Sequence, residues 1–541
     1  MMTPSAPARF FFWPLLLAIV LLALWGRGWG IWLEPMWLDE AYSAYAAAQG
    51  WDFLWHVVPR YETHPPFYYS LLRAWTLLAG DGLVAHRLLG LVCGMLSLPL
   101  IALAAARLAR IVNVDRRVVV LATLLIVAVS PVVVEMTREI RPYPAMILTY
   151  AGACLALLHI AERREAGLPL FGRPYIAYLG CTALILWLHN LGPLYAAALG
   201  LALLCVIRLQ SMAKADWLWL AAGGCFVIAV WLPALFILLD QAPEWIKATW
   251  LHFSTRDLWR RATMLYTGPR DDMRAMAAIL LLLGGALLWR TPRGRPLLAA
   301  LGILAFLPLL LSLLISATIT PVFIVRTMTA LATPALLLMG LGIGWGRGRY
   351  GWLLPAAALV WLAFAQFGMV AATRAHPQGD WYRAVAWLQP RFAPGDQLFA
   401  YPNEGALPFD RAVRDHGSQL AWSLSDDTDG LIDTIDQSVR IALFRIAQEA
   451  INNAVRHAQA NVLELKLKST AHALTIEVAD DGQGLSRSDR SAGGGIDNMV
   501  TRARLISAKL TLGTAREGKG TVMRVQMPLT LAKAGLLEES K

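Results

Sequence analysis

Two adjacent carboxylates, Asp39 and Glu40, follow the first apolar segment of the sequence. An acid that faces a reacting group at a membrane surface can take its proton, so the pair predicts general-base chemistry. Carboxylates are costly to bury beside a membrane, which makes a purely structural role a poor explanation. The alternative is a pair of solvated loop acids near the proline-terminated turn at 63–66. The spacing alone leaves both interpretations open.

Two arginines and two histidines could complete such a site. Arg141 and Arg326 each lie in a short break between apolar segments, and guanidinium groups suit phosphate oxygens. The alternative for each arginine is an interface anchor that extends to the lipid head groups. His64 and His189 could hydrogen-bond a substrate, or they could cap the ends of helices. The residue types alone leave both interpretations open.

A second polar cluster lies near the C-terminus. Over 438–458 the apolar residues repeat at the spacing of a helix. Four polar residues share one face of this helix, which is either a binding face or its solvated side: Glu449, Asn453, Arg456 and His457. The alternating segments 462–468 and 473–479 predict two strands after it.

The composition is that of a polytopic membrane protein. Of 541 residues, 57% are hydrophobic and only 16% are charged, against roughly 45–50% and about 25% in an average soluble domain. Such a chain is not disordered, collagenous or simply soluble. The net charge of +11 fits basic cytoplasmic loops, so we expect no nucleic-acid partner. The five cysteines all lie in apolar runs, which argues against a disulfide framework or a cysteine metal site.

A membrane-spanning helix needs about 20 mostly apolar residues. Eleven segments are candidates: 10–29, 84–106, 117–136, 142–160, 174–189, 191–207, 216–239, 273–290, 297–318, 322–344 and 350–372. The shorter apolar segment 66–80 is either a twelfth span or a helix in the interface. With eleven spans and a cytoplasmic N-terminus, nearly every short basic loop falls on the cytoplasmic side. This count puts Asp39, His189 and the chain after residue 372 on the outer side.

The composition changes sharply near residue 373, where the long apolar runs end. We predict four parts from this change. They are a membrane domain at 1–372, a connector at 373–420, a soluble domain at 421–530 and a short tail at 531–541.

Several short motifs of the membrane domain occur in a telling order: Asp39-Glu40, His64-Pro65-Pro66, Ser130-Pro131, Glu139-Ile140-Arg141-Pro142-Tyr143, Trp187-Leu188-His189 and the segment 321–326. Together they resemble the motifs of GT-C membrane glycosyltransferases, in the branch of the protein O-mannosyltransferases and aminoarabinose lipid A transferases. The likeness covers about residues 1–410. Thr327 and Asn190 depart from it, because the family has tyrosine at both positions.

The resemblance implies a GT-C fold, a polyprenyl-phosphate-linked sugar donor and inverting transfer to an acceptor on the outer face of a bacterial inner membrane. Asp39 is then the candidate base, with Glu40 second and a possible divalent metal at Asp39. The residues expected to bind substrate are His64, Arg141, Tyr143, His189 and Arg326. The donor sugar and the acceptor stay open.

Four motifs after residue 437 resemble the ATP-binding domain shared by histidine kinases, gyrase B, Hsp90 and MutL, an α/β sandwich of the GHKL (Bergerat) type. The helix reads R-I-A-Q-E-A-I-N-N-A-V-R-H-A over 445–458, as in histidine kinases of the nitrate-sensor type. The resemblance implies ATP and Mg²⁺, with Asn453 as the metal ligand and Glu449 as a general base. The other residues implied to bind ATP are Arg456, His457, Asp480, Gly482, Gly484, Gly493, Gly495 and Thr521.

The segment 373–440 contains no phospho-accepting histidine in a helical dimerisation context, since His376 and His416 lie in Pro- or Gly-flanked stretches. Three hypotheses follow. The chain is a membrane glycosyltransferase with an appended ATP-binding domain. Alternatively it is a membrane-anchored, sensor-kinase-like ATPase of a two-component system with a response regulator as partner, or a non-functional fusion remnant.

Overall fold

The computed structural model describes residues 11–346 apart from 61, 63, 208–211, 249–252, 254 and 257, and also residues 350–375. Beyond residue 375 it describes separate pieces: 382, 385–386, 389, 408, 411–415, 439, 443, 446–447, 449–450, 463–469, 473–484, 499–500, 502–504, 506–514 and 520–528. The chain divides into two compact units. One comprises residues 1–393 with 403–420, and the other comprises residues 394–402 with 421–541.

The first unit is helical. Its α-helices are α1 Phe12–Gly28, α2 Leu38–Gln49, α3 Phe67–Ala79, α4 Leu83–Ile111, α5 Arg116–Val129, α6 Pro131–Met136, α7 Tyr143–Glu165, α8 Arg173–Leu188, α9 Gly192–Val206, α10 Lys214–Ala248, α11 Leu258–Thr267, α12 Asp271–Trp289, α13 Gly294–Thr318, α14 Ala332–Gly342 and α15 Leu353–Ala375. A 3₁₀ turn at Val325–Leu331 leads into α14.

Within the described residues, seven helices are long and apolar enough to cross a membrane. They are Leu83–Ile111, Tyr143–Glu165, Lys214–Pro243, Asp271–Trp289, Gly294–Thr318, Val325–Trp345 and Leu353–Arg374. Three shorter apolar helices accompany them: α1, α8 and α9. The chain is therefore an integral membrane protein. The count of eleven spans stays a prediction, and the segment expected at 66–80 forms the 13-residue helix α3.

Two glycines allow the loop at 137–142 to lie directly against helix α4. A Cβ atom at Gly90 would lie 2.7 Å from the carbonyl oxygen of Thr137, and one at Gly94 would lie 2.9 Å from the Thr137 side chain. Real Cβ atoms essentially never approach other atoms this closely, so a side chain at Gly90 would displace the loop. This loop carries Glu139 and Arg141.

Arg374, at the end of α15, forms ion pairs with the segment before α2 and with α6. Its guanidinium is buried and forms ion pairs with Glu135 and, at 3.4 Å, with Glu34. Arg138 lies 3.9 Å from the same Glu34 carboxylate and donates a hydrogen bond to the Trp29 carbonyl oxygen at 2.6 Å. Buried guanidinium groups of this kind need such partners, because an uncompensated buried charge is strongly destabilising.

The second unit contains one antiparallel sheet of four strands: β1 Leu463–Ser469, β2 Ala473–Asp480, β3 Lys509–Thr514 and β4 Thr521–Pro528. Their spatial order is β1-β2-β4-β3. Alternate residues of β2 and β4 are buried, as the two-residue period of a strand requires. They pack with the helical residues Leu443, Ile446 and Met499 in one hydrophobic cluster.

Candidate active site

Asp39 and Arg326 form an ion pair. The charge count predicts that this end of the membrane unit faces the outer side. Asp39 lies in the first turn of α2, and Arg326 lies in the 3₁₀ turn before α14. Nη2 of Arg326 is 3.0 Å from Oδ2 of Asp39, and its guanidinium carbon is 4.8 Å from the centre of the Trp37 ring. Each charged side chain is about a quarter exposed. A substrate could therefore reach both groups.

Arg141 joins the same cluster from the loop before α7. Its Nη1 donates at 3.4 Å to the backbone oxygen of Asp39, to Oγ of Ser43 and to the Tyr69 hydroxyl. The side chain is buried. A buried guanidinium held by several oxygen acceptors has a fixed position, and its charge is weakly screened.

Two histidines lie side by side next to Arg141. Nδ1 of His64 is 2.6 Å from Oε1 of Glu62, and its Nε2 is 3.4 Å from Nη2 of Arg141. The His64 and His189 rings meet edge to face with centres 4.6 Å apart. Burial lowers the pKa of His64, and the charge of Arg141 lowers it further although Glu62 acts in the opposite direction. Burial also holds the pKa of His189 well below its usual value, so both rings are neutral near pH 7.

Tyr143 and His189 come together as the sequence motifs suggest, with ring centres 6.2 Å apart. The Nδ1 atom of His189 accepts a hydrogen bond from the Leu191 backbone N–H at 3.0 Å, which fixes the ring. Its Nε2 is buried and has no hydrogen-bond partner among the described residues.

Glu40 points away from this cluster, into a buried network. Its Oε2 is 2.8 Å from Nη2 of Arg87, and its Oε1 accepts the Ile140 backbone N–H at 3.1 Å. The side chain is only 2% exposed. Glu40 thus connects α2 to α4 and to the loop that carries Arg141.

A further carboxyl group, Glu139, also belongs to this region. Its Oε2 is buried without a hydrogen-bond partner among the described residues. Burial, with a further contribution from the charge of Glu40, raises the pKa of Glu139 to about 8, against the opposing charges of Arg326 and Arg141. Glu139 is therefore mostly neutral at pH 7.

The structure thus brings together six residues that the sequence proposes for one site: Asp39, His64, Arg141, Tyr143, His189 and Arg326. Sequence reasoning missed three residues that contact them, namely Trp37, Glu62 and Tyr69. It also missed Arg87, which pairs with Glu40, and the buried Glu139. Two signals were available, because Glu62 lies two residues before His64 and Glu139 lies within the quoted motif.

Within the part of the chain that the structure describes, no group of three or more His, Cys, Asp or Glu side chains could hold a metal ion. The divalent metal expected at Asp39 stays a prediction.

In the second unit, Asp480 ends strand β2 with its carboxylate buried. Its Oδ1 accepts hydrogen bonds from the backbone N–H groups of Gly482 at 2.9 Å and Thr521 at 3.2 Å. Gly520 has φ +77°, and a Cβ there would lie 1.8 Å from the Asp480 carbonyl oxygen. Only glycine allows this approach. The turn thereby fixes the orientation of the Asp480 carboxylate.

Gly484, with φ +78°, lies beside Gly520, and Glu449 is helical as expected. Five other expected ATP-site residues lie outside the described part of the chain: Asn453, Arg456, His457, Gly493 and Gly495. Asn453 is also the expected Mg²⁺ ligand.

Comparison with known proteins separates the two units. Residues 438–531 match the family model described as histidine kinase-, DNA gyrase B- and HSP90-like ATPase. The oxygen sensor histidine kinase NreB of Staphylococcus carnosus is 29% identical over 97 residues, which are 18% of this chain and 28% of NreB. UhpB, a signal transduction histidine-protein kinase/phosphatase of Salmonella typhimurium, is 32% identical over 111 residues, or 20% of each chain. The chain thus spans less than a third of the length of these relatives.

The solved structure of apo ArnT from Cupriavidus metallidurans is similar over 98% of this chain and 99% of ArnT, with 14% sequence identity and a TM-score of 0.50. This likeness shows the fold. Together the comparisons confirm both resemblances and the expected fold class, a GT-C-like helical membrane unit followed by a GHKL-type ATPase domain.

Proposed function

We propose that the membrane unit transfers a sugar from a polyprenyl-phosphate donor to an acceptor at the outer face of the membrane, with Asp39 as the base. One observation carries this proposal. Asp39, Arg141 and Arg326 come from three distant segments, and they meet as one carboxylate and two guanidinium groups. Inverting transfer from a lipid phosphate needs this combination of one base and cations for the leaving group.

The ion pair between Asp39 and Arg326 suggests how the donor enters. The donor phosphate competes with the Asp39 carboxylate for Arg326, since guanidinium groups bind phosphate oxygens well. Once Arg326 turns to the phosphate, Asp39 is free to accept the proton of the acceptor. The acceptor oxygen or nitrogen then bonds to the anomeric carbon, and the bond from this carbon to the phosphate oxygen breaks. The lipid phosphate leaves with its charge next to Arg326 and Arg141.

The neutral histidines supply hydrogen bonds and no charge. His189 offers the buried and unpartnered Nε2, so we assign it and Tyr143 to contacts with the sugar. His64 is held by Glu62 and Arg141, and we assign it to positioning Arg141. We assign Glu40 the same kind of role, because its ion pair with Arg87 and its bond to Ile140 occupy both carboxylate oxygens.

The full-length chain in liposomes, incubated with a labelled polyprenyl-phosphate sugar and a membrane extract as acceptor, tests the proposal. Asp39→Asn should abolish transfer while the protein stays folded. Asp52→Asn is the matched control, because Asp52 lies on the predicted outer side, is almost fully exposed and, within the described part of the chain, forms an ion pair with His56 alone. Full transfer by Asp39→Asn would remove this residue from the mechanism.

We propose a second function, ATP binding by the C-terminal unit. The match over 438–531 supports it, and so does the carboxylate of Asp480, which two backbone N–H groups hold in place. Such a fixed acceptor can receive the adenine amino group. Asp480→Asn in the full-length chain should weaken binding of a fluorescent ATP analogue, whereas Asp481→Asn at the exposed neighbour should not. Equal binding by both variants and the parent would contradict this role.

Three expectations accompany these functions. Mg²⁺ binds with ATP at Asn453, a response regulator is a partner only if phosphate is transferred onward, and the membrane is the bacterial inner membrane. A sensor-kinase-like ATPase, for which the membrane unit is only an anchor, is the alternative. The cluster around Asp39 favours the transferase, since an anchor needs no outer-side carboxylate that is paired with Arg326 and lies beside Arg141.

A further inference from the structure

A small cavity lies between the start of α1 and the start of α5, far from the site of transfer. It has a volume of about 290 Å³ and is lined by Phe12, Trp13, Ala106, Arg116, Arg117 and Val120. Ala106 lies on the same helix as Arg87, about 28 Å further along at a rise of 1.5 Å per residue. Because Arg87 holds Glu40 beside the transfer site, the cavity belongs to the opposite end of the unit.

Two arginines line the cavity, and the adjacent Asp115 uses its Oδ1 to accept the Arg117 backbone N–H at 2.8 Å. Neither Arg116 nor Arg117 has an ion-pair partner among the described residues, and no acidic residue lines the cavity. Nη1 of Arg117 is buried and has no hydrogen-bond partner in the described part of the chain. By contrast, the neighbouring Arg107 and Arg110 both pair with Glu162. A buried donor without an acceptor is costly, which indicates that an acceptor comes from outside the chain.

The other walls are apolar and suit a hydrocarbon chain. The Phe12 ring lies 5.9 Å from the guanidinium carbon of Arg117. Trp13 is 70% exposed beside it, and tryptophan favours the boundary between lipid and water. A ligand with an anionic head and an apolar tail would therefore satisfy both parts of the cavity.

We propose that this cavity binds an anionic phospholipid of the cytoplasmic leaflet. The lipid phosphate lies between Arg116 and Arg117, and the start of an acyl chain lies along Phe12 and Trp13. The positive-inside count puts the 112–116 loop on the cytoplasmic side, where the leaflet is rich in anionic lipids. The lipid adds to the direct contact between α1 and α5, in which Arg27 donates a hydrogen bond to the Val127 carbonyl oxygen at 3.0 Å.

The full-length protein, purified in detergent and titrated with phosphatidylglycerol, tests this proposal by native mass spectrometry and thermal unfolding. We expect one retained phosphatidylglycerol and a rise in Tm. The double variant Arg116→Gln/Arg117→Gln should bind this lipid roughly thirtyfold more weakly and lose the rise in Tm. Phosphatidylcholine, which carries no net charge, should give neither effect.

Arg173→Gln/Arg293→Gln is the matched control. It removes the same charge from the predicted cytoplasmic side at two exposed arginines that also flank helix starts, and it should keep the bound lipid. Equal loss in both double variants would overturn the proposal, because surface charge alone would then explain binding. If the first double variant does not fold, the single variant Arg116→Gln, at an exposed position, replaces it. This variant should bind phosphatidylglycerol more weakly, and its Tm in phosphatidylcholine should equal that of the parent.

Inorganic phosphate separates a lipid site from a simple anion site. It should not raise the Tm at concentrations equal to those of phosphatidylglycerol, because it makes no contact with Phe12 and Trp13. An equal rise with phosphate would contradict the lipid assignment. Trp13→Ala should weaken the binding of phosphatidylglycerol. An unchanged affinity in that variant would show that Trp13 does not contact the lipid.

Discussion

The Glu40 carboxylate and the Arg87 guanidinium form a buried ion pair, with 2.8 Å between Oε2 and Nη2. The neighbouring Asp39 pairs with Arg326 at 3.0 Å but remains about a quarter exposed. Two adjacent acids therefore have different environments, one that stabilises the fold and one that a substrate can reach. Substitution of each acid by its amide should separate these two roles.

Glu40→Gln should destabilise the protein far more than Asp39→Asn. Removing one partner of a buried ion pair costs about 3–5 kcal/mol because the other charge stays buried, whereas a partly exposed pair contributes about 0–1 kcal/mol. Thermal unfolding of the two variants in the same detergent measures the difference. Similar Tm values for both variants would show that the ion pair between Glu40 and Arg87 does not stabilise the fold.

Arg326→Lys should raise the KM for the polyprenyl-phosphate donor by about tenfold, since lysine keeps the charge but loses the fork that binds two phosphate oxygens. The pH dependence of transfer should change little, because the base is Asp39. Initial rates over a range of donor concentrations separate KM from kcat. A lower kcat at unchanged KM would indicate that Arg326 acts on the leaving group and contributes little to donor binding.

Raising the pH above about 5 should progressively reduce the stability of the membrane unit through Glu139. Burial raises the pKa of Glu139 to about 8 from an ordinary value of 4.5. Between these values the folded state keeps the proton and the unfolded state has lost it, so stability falls as pH rises and levels off above about 8. Glu139→Gln should remove this part of the fall. Tm values of the variant and the parent at pH 5, 7 and 9 measure it, and parallel curves would contradict the assignment.

Gly90→Ala should reduce sugar transfer although residue 90 does not contact the substrate. The new methyl group meets the Thr137 carbonyl oxygen at 2.7 Å, and the loop that carries Arg141 has to move. Gly200→Ala is the control, because a Cβ at this helical position meets no atom within 4 Å. It should leave transfer intact and stabilise α9 by about 0.5–1 kcal/mol. A Gly90→Ala variant with normal transfer would show that the loop tolerates displacement.

The sequence allowed the site to be predicted as a set of motifs but not as a set of contacts. The order of the motifs identified Asp39, Arg141 and Arg326, whose meeting the structure shows. It ranked Asp39 before Glu40 but could not show how their environments differ, because only the helical turn of α2 sends the two side chains in different directions. Glu139 escaped notice for a related reason. Its pKa depends on how closely the loop approaches α4, and this distance is set by Gly90 and Gly94, some 45 residues earlier in the chain.

For the fold, too, the sequence predicted the elements but not the contacts between them. Long apolar runs predicted the seven long apolar helices within five residues, because the thickness of the bilayer fixes their length. The segment 117–136, expected as one span, instead forms α5 and α6 with Ser130 between them. The strands at 463–469 and 473–480 also agree with the alternation that the sequence shows. The register of β2 with β4 and the place of the turn at Gly520 depend on long-range packing, so no local pattern could reveal them.

The attachment of Arg374 to Glu34 and Glu135 has a consequence for the architecture as a whole. It joins the end of α15 to the segment before α2 and to α6 of the same unit. Residues beyond 375 also belong to this unit, since Arg411 lies 3.7 Å from the Asp81 carboxylate and Tyr382 packs against the core of the unit. A recombination event that exchanges the nucleotide-binding unit would therefore have to preserve the segments 376–393 and 403–420, which belong to the membrane-embedded unit.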